Sequence, residues 1–187
     1  MEIACYSRKY PGEEVNGDGF VHVKGENDDL VAVIDGLGHG PGAHTASQQA
    51  IRIIRENAHL DLLSLLSAVH KGLQGTRGAV AALARFIKDH NRMEYAGLGN
   101  IDHHSTNPLI RPISHGGILG NNWRVPKLFR YEYKQGDLFV IFSDGVSSRF
   151  DIDEFKGMSC EEMVKAIVAR HGKDHDDATV LAVKISG

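Results

Sequence analysis

Residues 30–34 read Leu-Val-Ala-Val-Ile, without a polar side chain, and the run ends at Asp35-Gly36. Successive side chains of a strand point to opposite faces, so an unbroken apolar run puts hydrocarbon on both. Such a strand must be covered on both sides. The Asp-Gly pair that follows is a turn signal, which places a carboxylate at the edge of the most hydrophobic part of the sheet.

Around this strand the chain alternates runs of strands with groups of helices. Residues 3–10 and 19–24 read as two earlier strands, separated from it by Gly, Asn and Asp turn signals. A helix is predicted over 41–57, with Pro41 in its first turn and Ala43, Ala46, Ala50, Ile53 and Ile54 on one face. A second spans 61–73, with Leu62, Leu65, Leu66 and Val69 inward. Residues 78–88 and 92–99 form an expected hairpin turning at Asp89-His90-Asn91. Residues 128–133 and 138–142 form another, turning at Lys134-Gln135-Gly136-Asp137. A helix over 159–171 precedes a last strand over 178–185. This order predicts an α+β layered arrangement rather than alternating βαβ units. With no repeats, Pro/Ser-rich linkers or low-complexity tracts, residues 1–187 read as one domain.

At 187 residues the chain can bury a full core without cross-links. Its 42% hydrophobic and 24% charged residues exclude disordered and fibrous classes. The net charge is only −3 and no Lys/Arg run exceeds two residues, so neither nucleic acid nor a membrane surface is an expected partner. Cys5 and Cys160 match no metal-ligand spacing and read as free thiols. The first ten residues carry Glu2, Arg8 and Lys9 and no apolar segment of a signal peptide. No stretch approaches the roughly 18 apolar residues of a spanning helix. The expectation is a cytoplasmic protein, taken as a monomer by default.

Four aspartates stand at strand ends. Asp18 lies in Asn16-Gly17-Asp18-Gly19, and Asp35 opens Asp35-Gly36-Leu37-Gly38-His39-Gly40. Asp144 follows the apolar run 138–142 in Ser143-Asp144-Gly145-Val146, and Asp176 opens Asp176-Asp177-Ala178-Thr179-Val180. Singly, each is an ordinary turn residue. Together they carry more weight, because a carboxylate facing a core edge is costly unless paired or metal-bound. Two divalent cations would balance four such charges. Oxygen donors without thiolates or a required imidazole point to Mn²⁺ or Mg²⁺ rather than zinc.

In this order, with Gly97-Leu98-Gly99-Asn100-Ile101 and Gly116-Gly117-Ile118-Leu119-Gly120 between them, the motifs resemble those of the PPM (type 2C-like) serine/threonine phosphatases, and their wording is similar to the RsbX and SpoIIE branch. The resemblance covers nearly the whole chain. It implies a four-layer αββα sandwich of two antiparallel sheets flanked by helices, with a two-metal site at one edge. Carried over by position, it implies that Asp35 bridges both ions and that the Gly36 carbonyl binds one. Asp144 and Asp176 would hold the ion that fixes the attacking water-derived nucleophile, and Asp18 would contribute nearby through water. It further implies direct hydrolysis without a phosphoenzyme, and as substrate a phosphoserine or phosphothreonine on a STAS-type regulator in a bacterial stress or sporulation circuit.

Two positions depart from the larger eukaryotic relatives: Gly17 replaces a Glu before the first Asp, and Leu37 replaces a His after Asp-Gly. His39 is then the nearest candidate for the acid that protonates the departing oxygen, the other reading being a loop histidine without a catalytic part. Three rival readings exist. His103-His104 and His115 invite zinc, but their spacing matches no closed site, and the histidines read instead as surface or loop residues. Gly38-His39-Gly40-Pro41-Gly42-Ala43 satisfies a dinucleotide fingerprint, but Asp35 would crowd a pyrophosphate and Pro41 removes an amide needed to hold it. The missing acid at Gly17 leaves open a catalytically weak or inactive binding module of the same fold.

Overall fold

The computed structural model describes residues 1–186; each strand expected from the sequence lies within about two residues of its place, and residues 102–105 form a further, unexpected one. The strands are β1 (Glu2–Arg8), β2 (Asp18–Lys24), β3 (Asp28–Gly36), β4 (Ala79–Ile87), β5 (Arg92–Leu98), β6 (Asp102–Ser105), β7 (Phe129–Glu132), β8 (Leu138–Phe142) and β9 (Ala178–Lys184). The helices are α1 (Pro41–Glu56), α2 (Leu62–Gly72) and α3 (Cys160–His171). Two antiparallel sheets form, in the orders β1-β9-β8-β6 and β2-β3-β4-β5-β7.

The apolar run in β3 is buried on both faces, as its composition requires. Val31 and Val33 face the other sheet, meeting Phe139, Ile141, Leu181 and Val183 in the central layer. Ala32 and Ile34 face outward, where Ala50 and Ile54 of α1 and Leu62, Leu65 and Leu66 of α2 cover them. On the far side, Val140, Phe142, Val180 and Ala182 pack under Met163, Val164 and Ile167 of α3. These three apolar layers make the αββα sandwich. Each fully buried Leu, Ile, Val or Phe contributes roughly 1.5–3 kcal/mol.

Local chemistry sets the ends of the helices. Asp61 caps α2 by accepting from the amides of Leu63 and Ser64, both at 3.0 Å. Ser159 and Glu162 close a reciprocal capping box on α3. Along α1 the buried stripe contains Ile51, and Ile53 is only half-buried.

Two expectations need correction. Residues 128–133 and 138–142 are not a hairpin, because β7 pairs with β5 in one sheet and β8 with β6 and β9 in the other. The segment 134–137 is therefore a crossover between sheets. Second, His103 and His104 are not loop residues: they lie on β6, opposite Ile141 and Val140. The His104 ring stacks on Phe142 at 5.3 Å, and burial holds His103 below the usual histidine range. The wholly antiparallel sheets contain no βαβ unit, in agreement with the case made from the sequence against the dinucleotide reading. Among the described residues no helix is long and apolar enough to cross a membrane, and Cys5 and Cys160 are free thiols.

Candidate metal centre

Strand pairing brings three of the four singled-out aspartates to one end of the sandwich and sets the fourth behind them. Asp18, the first residue of β2, lies opposite Asp35, near the end of β3. In the other sheet Phe142 pairs with Val180, and the amide of Ser143 donates to the Thr179 carbonyl at 3.0 Å. Asp144 and Asp176 therefore leave their strands side by side, facing the β2–β3 end across the sandwich.

Asp35 is the group under most strain. Among the described residues no side-chain or backbone donor is hydrogen-bonded to its carboxylate. Burial first, then the charges of Asp18, Asp144, Asp176 and Asp177, push its pKa up to about 9. Asp176 is raised in the same direction, by burial and then by Asp144, with Lys173 opposing. An unpaired carboxylate in this setting is stable only protonated or beside a cation. Asp144 keeps one oxygen committed, since Oδ2 accepts from the Asn100 side chain at 2.6 Å. Its backbone carbonyl accepts from Lys173 Nζ at 2.5 Å.

Asp18 sits deeper, at 4% exposure. Its Oδ2 accepts from the Ser143 hydroxyl at 2.6 Å, and that same hydroxyl oxygen accepts from the Thr179 amide. Burial pushes Asp18 up to about 7, against the hydrogen bonds from Ser143 and Thr179. Its carboxylate thus also joins the two sheets, which suits a charge acting from behind rather than a direct ligand.

The adjacent aspartates 176 and 177 divide their work. Asp177, 3% exposed, accepts from the amides of Tyr10 at 2.8 Å and Gly17 at 3.0 Å, fixing the β1–β2 segment. Asp176 is half-exposed and engages only the Asp177 amide. Sequence reading singled out the second for chemistry and missed the structural task of the first. Asp177 is the one followed directly by the buried strand, and that was the available signal.

Two glycines shape the floor. A Cβ on Gly36 would stand 2.1 Å from the Ala43 carbonyl oxygen, so α1 can cross the end of β3 only over a glycine. A Cβ on Gly17 would stand 2.7 Å from Asp177 Oδ2 and 2.9 Å from Ala43 Cβ. The acidic residue that larger relatives carry there has no room in this packing.

His39 lies in the turn entering α1. Its Nδ1 is bound to Glu13 Oε1 at 2.5 Å, and its ring packs on Tyr10 at 5.2 Å. A carboxylate beside Nδ1 places a proton on that nitrogen and leaves Nε2 free. The two glycine-rich motifs between the aspartates are structural. The Gly99 amide donates to the His115 carbonyl and the His115 amide to the Gly97 carbonyl, while Ala79 and Leu119 exchange a pair of backbone bonds, laying the 114–120 segment along the ends of β5 and β4.

The donors fit hard divalent ions in a particular way. Among the described residues no three Asp, Glu, His or Cys side chains converge tightly enough to enclose an ion. Carboxylates spaced in this way suit Mg²⁺ or Mn²⁺ ions, which keep several waters and take one or two protein oxygens each. An open groove of about 370 Å³, lined by Asn100, Asp144, Ser147, Arg149 and Lys173, borders the Asp144 side of the cluster.

Comparison with known proteins places this geometry. The family model of stage II sporulation protein E (SpoIIE) matches residues 26–186. The phosphoserine phosphatase RsbX of Bacillus subtilis (strain 168) is 25% identical over 191 residues, covering 100% of this chain and 96% of the relative. A protein solved in work on the bacterial stressosome, a modular system adapted to control secondary messenger signalling, superposes with a TM-score of 0.92 at 33% identity over 97% of both chains. RsbX crystallised with magnesium superposes at 0.86 with 22% identity, over 96% of this chain and 92% of that one. The chain belongs to the SpoIIE family of PP2C-type serine/threonine phosphatases.

Proposed function

We propose that this chain is a metal-dependent protein phosphatase that hydrolyses phosphoserine or phosphothreonine on a bacterial signalling protein, by direct attack of water on phosphorus. The observation that carries this reading is Asp35: a carboxylate without a hydrogen-bond donor, crowded by further carboxylates and driven up to about 9. A fold does not keep such a group for stability. Asp35, the Gly36 carbonyl, Asp144 and Asp176 would hold the ions, with Asp18 supporting from behind. Two bound Mg²⁺ or Mn²⁺ ions supply an activated water at neutral pH and balance phosphoryl charge.

The chain's own residues do the rest. The Asn100 amide orients Asp144 and leaves its other oxygen toward the site. Lys173 ties the Asp144 backbone to the segment that carries Asp176. His39, held through Nδ1 by Glu13, presents Nε2 for protonating the leaving oxygen.

A phosphorylated STAS-type regulator in the cytoplasm is the partner that the family resemblance implies, and the 33%-identical protein solved in work on the bacterial stressosome is in keeping with a signalling role. The segment 106–127 supports recognition of a folded surface, since Leu109, Ile113 and Val125 are exposed there. Trp123, in the same segment, packs against the α1–α2 core and stacks on His70 at 4.9 Å.

The test is hydrolysis of a phosphoserine-bearing STAS protein by metal-stripped enzyme, with and without added Mn²⁺. Activity should appear only with the ion and vanish with chelator. Full activity in chelator would sink the metal mechanism, and no activity under any condition would favour a binding module.

A further inference from the structure

We propose that Arg77 is the cation that seats the substrate's phosphoryl oxygens at the mouth of the metal centre, an inference that rests on the phosphatase reading above. Arg77 lies between α2 and β4, where Gly36 pairs with Ala79 and the Leu37 amide donates to the Gly78 carbonyl at 3.0 Å. The side chain thus rises beside the turn that follows Asp35 and Gly36.

Its surroundings are those of a guanidinium awaiting an anion. No carboxylate among the described residues lies within ion-pairing distance of it. Its hydrogen bond is to the His39 backbone carbonyl, from Nη1 at 3.2 Å. Glu13, the carboxylate that borders Gly40, is bound to His39 instead. The guanidinium lies flat across the start of α1: a Cβ on Gly42 would stand 2.5 Å from its Nε and 2.8 Å from its Cζ, and one on Gly38 would stand 3.3 Å from Nη1.

This place is electrostatically wrong for an isolated cation. The N-terminus of a helix carries partial positive charge and favours anions. The first turn of α1 holds no acidic residue, and no side chain caps it. Two positive features therefore lie together beside the turn that follows Asp35 and Gly36. A phosphate dianion is the ligand that both would stabilise, and the planar fork of Arg suits two of its oxygens. The carboxylates alone would repel such a dianion. Arg77 supplies a fixed attraction on the substrate side, so it positions the phosphoryl group and does not take part in proton transfer.

Calorimetric titration of the Mn²⁺-loaded protein with inorganic phosphate tests this, with turnover of p-nitrophenyl phosphate followed alongside. Arg77→Ala should weaken phosphate binding about tenfold or more and raise KM by more than it lowers kcat. Arg77→Lys should recover part of the loss, since a single ammonium does not span two oxygens. Gly42→Ala, a substitution that favours helix, should displace the guanidinium and weaken phosphate without lowering the melting temperature. Phosphate affinity in Arg77→Ala within twofold of the unsubstituted protein overturns the proposal, as does the absence of phosphate binding by the unsubstituted protein. Arg77-dependent phosphate binding without any phosphoester turnover would support the seat and strike the phosphatase reading instead.

Discussion

Replacing Asp35 by Asn should stabilise the metal-free protein while destroying its activity. Burial and neighbouring charges raise Asp35 from 3.8 to about 9, so across that interval the folded state holds a proton that the unfolded state releases. Stability is then fully present below about pH 4 and is lost as pH rises toward 9. At pH 7 the gap corresponds to about 4 kcal/mol. Proton sharing between Asp35 and Asp18 lowers the part attributable to one residue to about 2 kcal/mol. Asn keeps the shape and cannot ionise, so the variant should escape this loss. For a chain of this size the gain is about 4–8 °C in Tm. The assay is a set of thermal melts of chelator-treated protein at pH 5 and pH 8, repeated with Mn²⁺. The variant should lead by more at pH 8 than at pH 5, and Mn²⁺ should stabilise the unsubstituted protein far more than the variant. A variant that melts at or below the unsubstituted protein at pH 8, or a lead indifferent to pH, would refute the reasoning.

Three further outcomes follow from particular contacts. Asp177→Ala removes the acceptor of two buried amides, Tyr10 and Gly17, and should cost about 2–4 kcal/mol in denaturant titration. Asp176→Ala should leave the unfolding midpoint nearly unchanged while lowering kcat at least about a hundredfold, and the reverse pattern would exchange their roles. His39→Ala should slow hydrolysis of a phosphoserine peptide by about 10²-fold and of an aryl phosphate far less, because the aryl leaving group needs little protonation. Equal losses would remove it from the acid role.

Much of the architecture was legible because its determinants are local. The apolar run in β3 demanded two covered faces, Pro41 and Ser159 marked helix starts, and the leucines of α2 repeat at helical spacing. The candidate site was legible for a related reason: Asp-Gly and Asp-Asp pairs at the ends of apolar strands stand out from ordinary turns when four share one chain. Pairing across the sandwich was not legible. The gap between β7 and β8 has the length and composition of a hairpin turn, and only the partners available to each strand, β5 for one and β6 and β9 for the other, send them to different sheets. The short β6 escaped notice because its Asp-His-His-Ser carries no hydrophobic alternation, and Phe142 and Phe150 give His104 its place.

The sequence by itself determined the residue types at the site, the layered α+β class and the family resemblance, since each resides in short motifs and their order. Tertiary structure alone decided which oxygens remain free. Asp176 and Asp177 are identical neighbours in the chain, yet the β1–β2 segment folds onto one and leaves the other open. Asp18 and Asp35 likewise look equivalent until Ser143, arriving from the opposite sheet, satisfies the first and leaves the second without a donor. Hydrogen-bond partners more than a hundred residues away make that distinction, and no local pattern encodes them.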